Sequence, residues 1–99
     1  MFDNLLSQMQ EQAEEMKKKL NDIFVETEAE NGLVKVKANA NRKIISIEIS
    51  PDIIGNKETI EDLVIVAVNK AIEKAEEIAN KETGDMAKNI LPDIGNLFG

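Results

Sequence analysis

The sequence of 99 residues contains no cysteine, histidine, tyrosine or tryptophan, and it has only three phenylalanines and two prolines. Without cysteine or histidine the chain cannot form a disulfide, use a thiol nucleophile or an imidazole base, or present the usual zinc ligands. Because aromatic side chains are scarce, any core must be built from Ile, Val, Leu, Ala and Met. These absences argue against an enzyme, and we expect no catalytic residue, metal, cofactor or small-molecule substrate.

The chain also lacks an apolar run long enough to cross a membrane, and residues 1–4 have no basic flank typical of an export signal. We therefore expect a cytoplasmic protein with no membrane partner. The chain also has fewer basic than acidic residues, 12 against 19, and its formal net charge is −7. That balance argues against a wholly basic surface for nucleic acid, although a local basic patch can coexist with an acidic total.

Apolar side chains at helical spacing predict a long second helix over residues 56–83, which Asn56 caps and Gly84 closes. The stripe consists of Ile60, Leu63, Val64, Ala67, Val68, Ala71, Ile72, Ala75, Ile78 and Ala79. It is wider than one neighbour needs, so we expect the helix to cover a sheet and to contact a second copy of the chain. Its candidate core and dimer contacts are Ile60, Val64, Val68 and Ile72.

A heptad pattern predicts another long helix within residues 1–24. Its apolar seam consists of Phe2, Leu6, Met9, Ala13, Met16, Leu20 and Ile23. A helix of this length, at about 1.5 Å per residue, outreaches a small sheet, so it should project and pair with something. The candidate core and dimer contacts here are Leu6, Met9, Met16 and Leu20; an adaptable Met-rich groove for a partner is the weaker interpretation.

Alternation of apolar and polar residues over residues 25–50 predicts three antiparallel strands. Asn31-Gly32 is typical of a two-residue hairpin loop, which requires positive φ twice. The resulting register pairs apolar residues on one face and oppositely charged residues on the other. On the first face Val25 pairs with Ala38, Thr27 with Val36, and Ala29 with Val34; on the second face Glu26 pairs with Lys37 and Glu28 with Lys35.

A second two-residue loop at Asn41-Arg42 would pair the second strand with the third. It would place Ala38, Val36 and Val34 opposite Ile45, Ile47 and Ile49, respectively. Lys35 would then lie between Glu28 and Glu48. Ile44 would be the one large apolar residue on the outer, charged face of the sheet.

These patterns together predict an α+β fold of two layers in the order α-β-β-β-α. A three-stranded antiparallel meander, with strand order 1-2-3, is covered by the second helix while the long N-terminal helix projects. We expect one domain over residues 1–99 that assembles as a homodimer. The apolar tail of residues 85–99, rich in Gly and Asn and containing Pro92, either frays or docks by its apolar side chains.

Several local sequences are distinctive in combination. They are the Gln/Met/Glu/Lys-rich segment 9–19, Gly32-Leu33-Val34-Lys35-Val36, Ile47-Glu48-Ile49-Ser50-Pro51, Ile60-Glu61-Asp62-Leu63-Val64, the run with Ala67, Asn69 and Ala71, and Leu91-Pro92 with Ile94 and residues 97–99. Their order resembles the YbaB/EbfC family of bacterial nucleoid-associated proteins over nearly the whole chain. One departure is that Asn39-Ala40-Asn41 stands where the family usually has a glycine after the second strand; another is a short N-terminal lead.

The resemblance implies a homodimer that binds double-stranded DNA in the nucleoid. It also implies long helices that project like the arms of tweezers, and a non-catalytic role in nucleoid organisation and gene expression. The alternative left open by the residues is a coiled-coil dimer that holds a protein partner through its arms or through the face that carries Ile44. The acidic surface favours that alternative.

The DNA-binding candidates are the densest basic segments, Lys17, Lys18, Lys19, Arg42 and Lys43. The lysine run could clamp phosphates, or it could be a solvated helix end paired with Glu14 and Glu15. Arg42-Lys43 matches a basic pair of the family, but it could also be an ordinary polar turn. Lys35 and Lys37 are excluded because each faces a glutamate.

Overall fold

The computed structural model describes the backbone of residues 2–90 and the side chains of residues 3–85. The elements are α1 (Phe2–Asn21), β1 (Phe24–Ala29), β2 (Val34–Asn39), β3 (Ile44–Ile49), a short 3₁₀ turn (Pro51–Ile53) and α2 (Lys57–Ile90). The strands form one antiparallel sheet in the order β1-β2-β3. The predicted α+β fold is confirmed, and the element bounds differ from the prediction at both helices.

The β1–β2 hairpin has the register that the Asn31-Gly32 loop predicts. All five predicted pairs, from Val25 with Ala38 to Ala29 with Val34, are confirmed, and a sixth pair joins Phe24 and Asn39. Asn31 and Gly32 have φ angles of 56° and 88°, and the N–H of Leu33 donates to the carbonyl of Glu30 across the turn. The turn and the pairs across the strands therefore agree on one register.

The prediction for the β2–β3 hairpin was wrong next to its turn. Val36 pairs with Ile47 as expected, but Ala38 pairs with Ile44 instead of Ile45 because a bulge interrupts the ladder. The loop has three residues, 40–42, with Arg42 at a φ of 66°, and Asn39 and Lys43 close it. The shift falls between Lys37 and Ala38 of β2, where β3 carries one extra residue.

The bulge changes the position of Ile44 relative to the prediction. Ile44 packs against the core, so it is not the apolar residue of the outer face, whereas Ile45 is 46% exposed. Ile47 shares its face with buried Val36 and is nevertheless 44% exposed. The inner face is therefore apolar, as predicted, but β3 is only partly covered.

The core lies between α2 and the first two strands. Ala67, Ala71 and Ala75 are fully buried on α2 and pack on Val25, Ala29, Val34, Val36 and Ala38. Small side chains at steps of four let the helix approach the sheet closely. The hydroxyl of Thr27 donates to the carbonyl of Ala67 at 2.7 Å, which fixes the helix over β1. This position of α2 leaves the β3 side of the sheet open.

α2 begins as predicted and ends later. The N–H of Thr59 donates to the Asn56 side chain at 3.3 Å, so Asn56 caps the helix. The helix continues through Gly84 to Ile90, which corrects the predicted stop. Gly84 does not have the left-handed conformation that ends a helix, and an isolated glycine weakens a helix without breaking it. Residues 91–99 of the predicted tail lie outside the described residues.

α1 ends at Asn21, three residues before the predicted end, and Phe24 already belongs to β1. Its last turn is closed by the N–H groups of Asp22 and Ile23, which donate to the carbonyls of Lys19 and Leu20. The seam is buried at this end only: Leu20 is buried, Met16 is half-buried, and Leu6 and Met9 are 56% and 58% exposed. The helix therefore projects from the body, as predicted. Neither helix in the described part of the chain is both long and apolar enough to span a membrane.

Candidate nucleic-acid interface

The end of α1 and the β2–β3 turn are joined by hydrogen bonds. The N–H of Ala40 donates to the carbonyls of Leu20 (3.1 Å) and Ile23 (2.9 Å). The amide Nδ2 of Asn41 donates to the carbonyl of Lys17 at 2.8 Å and to Oδ1 of Asn21 at 2.6 Å. The turn is thus bonded to carbonyls in the last turns of α1 and just beyond its end.

The buried side chain of Asn39 stabilises the conformation of the turn. It is the one buried polar residue among the described side chains, with 4% of its surface exposed. Its Oδ1 accepts the N–H groups of Asn41 (3.0 Å) and Lys43 (3.1 Å), and its Nδ2 lies 3.4 Å from Oδ1 of Asn21. A buried amide with all these partners specifies one turn conformation and its docking against α1.

This junction brings the two predicted basic segments together. Lys17, Lys18 and Lys19 occupy the last turn and a half of α1, and Arg42 and Lys43 follow the residue that bonds to that turn. All five side chains are exposed. We call Lys17, Lys18, Lys19, Arg42 and Lys43 the junction cations. The sequence named them as two separate candidates, whereas the fold makes them one group.

Two junction cations are paired with carboxylates of α2. Nζ of Lys19 lies 2.6 Å from Oε2 of Glu82, and Nη1 of Arg42 donates to Oε1 of Glu76 at 3.2 Å. Among the described side chains, no carboxylate lies within 4 Å of the amino groups of Lys17, Lys18 or Lys43. The partner of Lys19 is thus on another helix, not at Glu14 or Glu15 one turn away. These tertiary pairs have no signal in the local sequence.

The sheet lysines are surrounded by acidic residues. Lys35 lies between Glu28 and Glu48 in neighbouring strands, as predicted, and Lys37 lies opposite Glu26. Nζ of Lys37 also lies 4.6 Å from the ring centre of Phe24. These side chains line a broad depression of mixed charge on the outer face of the sheet. This face does not offer the uniform positive charge that a phosphate backbone needs.

The candidate core and dimer residues fall into two groups. Leu20 is buried, Ile60, Val64 and Val68 pack against the core, and Ile72 is half-buried. Leu6 and Met9 are mostly exposed and Met16 is half-buried, so most of the α1 seam is not used within one chain.

Comparison with known proteins identifies the family. The model of the YbaB/EbfC DNA-binding family matches residues 2–90. A nucleoid-associated protein of Neisseria meningitidis serogroup C is 42% identical over 95% of this chain and 91% of its own length. Similar proteins of Flavobacterium johnsoniae (94% of this chain, 91% of its own length) and Thermoanaerobacter pseudethanolicus (98% and 90%), both named nucleoid-associated, are 35% and 41% identical.

The fold has a counterpart among solved structures. An uncharacterized protein from Helicobacter pylori superimposes with a TM-score of 0.77, covering 86% of this chain and 91% of that one. At 20% identity this likeness is one of fold alone. The family match and the identity to curated relatives decide the assignment: this chain belongs to the YbaB/EbfC DNA-binding family.

Proposed function

We propose that the protein binds double-stranded DNA as a homodimer, and that it acts in nucleoid organisation and gene expression without catalysing a reaction. The observation that carries this proposal is the junction cations, which hydrogen bonds hold together on an otherwise acidic chain. Five cations within one patch offer charge-assisted hydrogen bonds to phosphate oxygens. The protein accordingly resides in the cytoplasm, on the nucleoid.

Recognition works through the phosphate backbone with little preference for sequence. Lysine and arginine at a helix end and a turn suit phosphates, whereas reading base edges needs an element that enters a groove. Each phosphate contact releases a counterion, so the affinity falls steeply as salt rises. In a dimer the patch is present twice, and two patches on one duplex strengthen each other.

The open side of the sheet supports the homodimer. Ile45 and Ile47 are nearly half exposed on β3, which α2 leaves uncovered. Lys70 reaches the carbonyl of Glu28 on β1, so the opposite side of α2, with Val64 and Val68, faces β3. An exposed apolar surface formed by a strand and a helix flank suits a second copy of the chain, which brings the same surface.

Sedimentation velocity tests the dimer. The wild-type protein is expected to sediment as a dimer, and Ile47→Lys is expected to shift it toward monomer because a charge would be buried without a partner. Val66→Lys, at an exposed position of α2 on the same side as Lys70 and away from β3, serves as a comparison. A wild-type monomer at micromolar concentration would contradict the proposal.

A partner protein is the second candidate for the free end of α1. Leu5, Leu6 and Met9 form an exposed apolar stripe there, which suits a helix of another protein. The same alternative had also invoked the face of Ile44, but Ile44 packs against the core. Of the two surfaces that this alternative invoked, only the α1 stripe is still a candidate for binding a partner protein.

Binding of a short fluorescent duplex tests the main proposal. We expect saturable binding at low salt that weakens as salt is added. Replacing Lys17, Lys18 and Lys43 together by Gln should weaken binding by about tenfold or more and reduce the salt dependence, because three phosphate contacts are lost. The charge-matched control replaces Lys35, Lys57 and Lys70 by Gln and should change the affinity by less than about threefold.

The outcome separates the two candidate functions. If the wild-type protein does not bind the duplex at micromolar concentration in low salt, the DNA proposal is wrong and the partner-protein function is favoured. If both triple variants lose affinity equally, the junction is not the binding site. Leu6→Ser changes the α1 stripe and is measured in the same assay. It should leave the affinity for duplex unchanged, because the stripe is assigned to a partner protein and not to DNA.

A further inference from the structure

The junction contains negative as well as positive groups. Glu76 and Glu82 lie on one stretch of α2, and their carboxylates contact Arg42 at 3.2 Å and Lys19 at 2.6 Å. Both pairs join residues that are far apart in sequence, so they depend on the docking of α1 and the turn against α2. Glu82 is the less exposed of the two carboxylates. Each pair occupies a cation that the proposed function assigns to phosphate.

A glutamate and a DNA phosphate offer the same chemistry to these cations. Both present anionic oxygens that accept charge-assisted hydrogen bonds from guanidinium or ammonium groups. A phosphate that approaches Arg42 or Lys19 also meets the charge of the glutamate already there, which repels it. The two ligands therefore compete for the same donors.

We propose that Glu76 and Glu82 are internal competitors of DNA phosphate, and that they lower the affinity of the junction by occupying Arg42 and Lys19 until DNA displaces them. This inference rests on the proposed binding of DNA. It divides the junction cations into two classes. Lys17, Lys18 and Lys43 make the first contacts with DNA, and Arg42 and Lys19 contribute only after an exchange of partners.

The competition between the glutamates and DNA phosphate depends on the salt concentration. Exposed ion pairs are weakened by screening, so the glutamates compete most strongly at low ionic strength. As salt rises, they cease to hold the cations and their effect on binding disappears. The unmodified protein should therefore show a shallower loss of affinity with salt than a variant without the two carboxylates.

The test is a pair of double variants with identical net charge. Glu76→Gln with Glu82→Gln removes both competing carboxylates and keeps the size and polarity of the side chains. Glu73→Gln with Glu77→Gln removes two exposed carboxylates of the same helix that, within the described side chains, pair with no cation. Binding of a fluorescent duplex is measured for both variants and the wild type over a series of salt concentrations.

The first variant should bind the duplex about fivefold more tightly than the wild type at low salt, and the control less than about twofold more tightly. The difference between the two variants should close as salt is raised. A thermodynamic cycle provides a second measurement: in a background with Lys19→Gln and Arg42→Gln, the glutamate substitutions should have no more effect than the control pair.

Equal tightening by the two variants would overturn the inference, since net charge alone would then explain it. Weaker binding by the Glu76 and Glu82 variant would also overturn it, because the glutamates would then position the cations for DNA. Absence of duplex binding by the wild type would overturn the proposed function and this inference with it. Circular dichroism and urea midpoints of all variants identify any effect that comes from unfolding.

Discussion

The two hairpin turns of the sheet are held by different parts of the chain. The β1–β2 turn at Asn31 and Gly32 relies on residues with positive φ and on a hydrogen bond within the hairpin. The β2–β3 turn has side-chain and backbone hydrogen bonds to α1 and rests on the buried amide of Asn39. The first turn is determined locally, and the second depends on tertiary contacts.

Under the proposed function, the first turn has a structural role alone and the second belongs to the DNA interface. The β1–β2 turn, which we call the local turn, joins two strands in the predicted register and carries no cation at its tip. The β2–β3 turn, which we call the docked turn, places Arg42 and Lys43 beside the lysines of α1, and the ladder next to it is interrupted. We expect changes in the first turn to affect stability alone, and changes in the second to affect DNA binding as well.

The largest effect is expected at the base of the docked turn. Asn39→Ala should lower the free energy of unfolding by about 2–3 kcal/mol, because the N–H groups of Asn41 and Lys43 both lose their acceptor in a partly buried site. Urea denaturation measures this change in the free energy of unfolding. Asn69→Ala, at an exposed position of α2, should change stability by less than about 0.5 kcal/mol. Similar values for both variants would contradict the role of Asn39.

The second-largest loss of stability is expected at the local turn. Gly32→Ala should lower the free energy of unfolding by about 1–2 kcal/mol, since Gly32 has a φ of 88° and a new Cβ would lie 3.3 Å from Cε of Lys35. Its affinity for duplex should not change. Gly84→Ala, within α2, should instead stabilise the protein by about 0.5–1 kcal/mol. Loss of DNA binding in the Gly32 variant would remove the distinction between the turns.

The smallest effect on stability is expected at the tip of the docked turn, and it should come with a change in function. Asn41→Ala removes the bonds to Lys17 and Asn21, which are exposed, and should lower stability by about 1 kcal/mol or less. We expect about threefold weaker duplex binding, because the cations of α1 and of the turn are no longer fixed together. Asn31→Ala is the matched control and should lose a similar stability without losing affinity.

The same contrast explains what the sequence could predict. The register of β1 and β2 followed from Asn31-Gly32 and from opposite charges across the strands, and it was right at every pair. The bulge at Ala38 was missed because the loop conformation depends on Asn39 and on carbonyls of α1, which no local pattern reveals. The end of α2 was missed because Gly84 was assumed to have a left-handed conformation that it does not adopt.

The candidate site was predictable only as a set of residues. Basic runs are visible in the sequence, so all five junction cations were named. Their proximity, and the pairing of two of them with Glu76 and Glu82, depends on how α1, α2 and the turn pack together. The run Asn39-Ala40-Asn41, which replaces a glycine that the resemblance leads one to expect, was the available signal for the docked turn.

Backbone amide shifts on addition of duplex DNA test the account most directly. In a ¹H–¹⁵N spectrum of the labelled protein, the amides of residues 17–19 and 40–43 should shift together and saturate at the same DNA concentration. The amides of Asn31, Gly32 and Leu33 should stay in place. Shifts centred on the Asn31-Gly32 turn, or none at residues 40–43 under conditions where DNA is bound, would contradict a DNA interface at the junction of α1 and the docked turn.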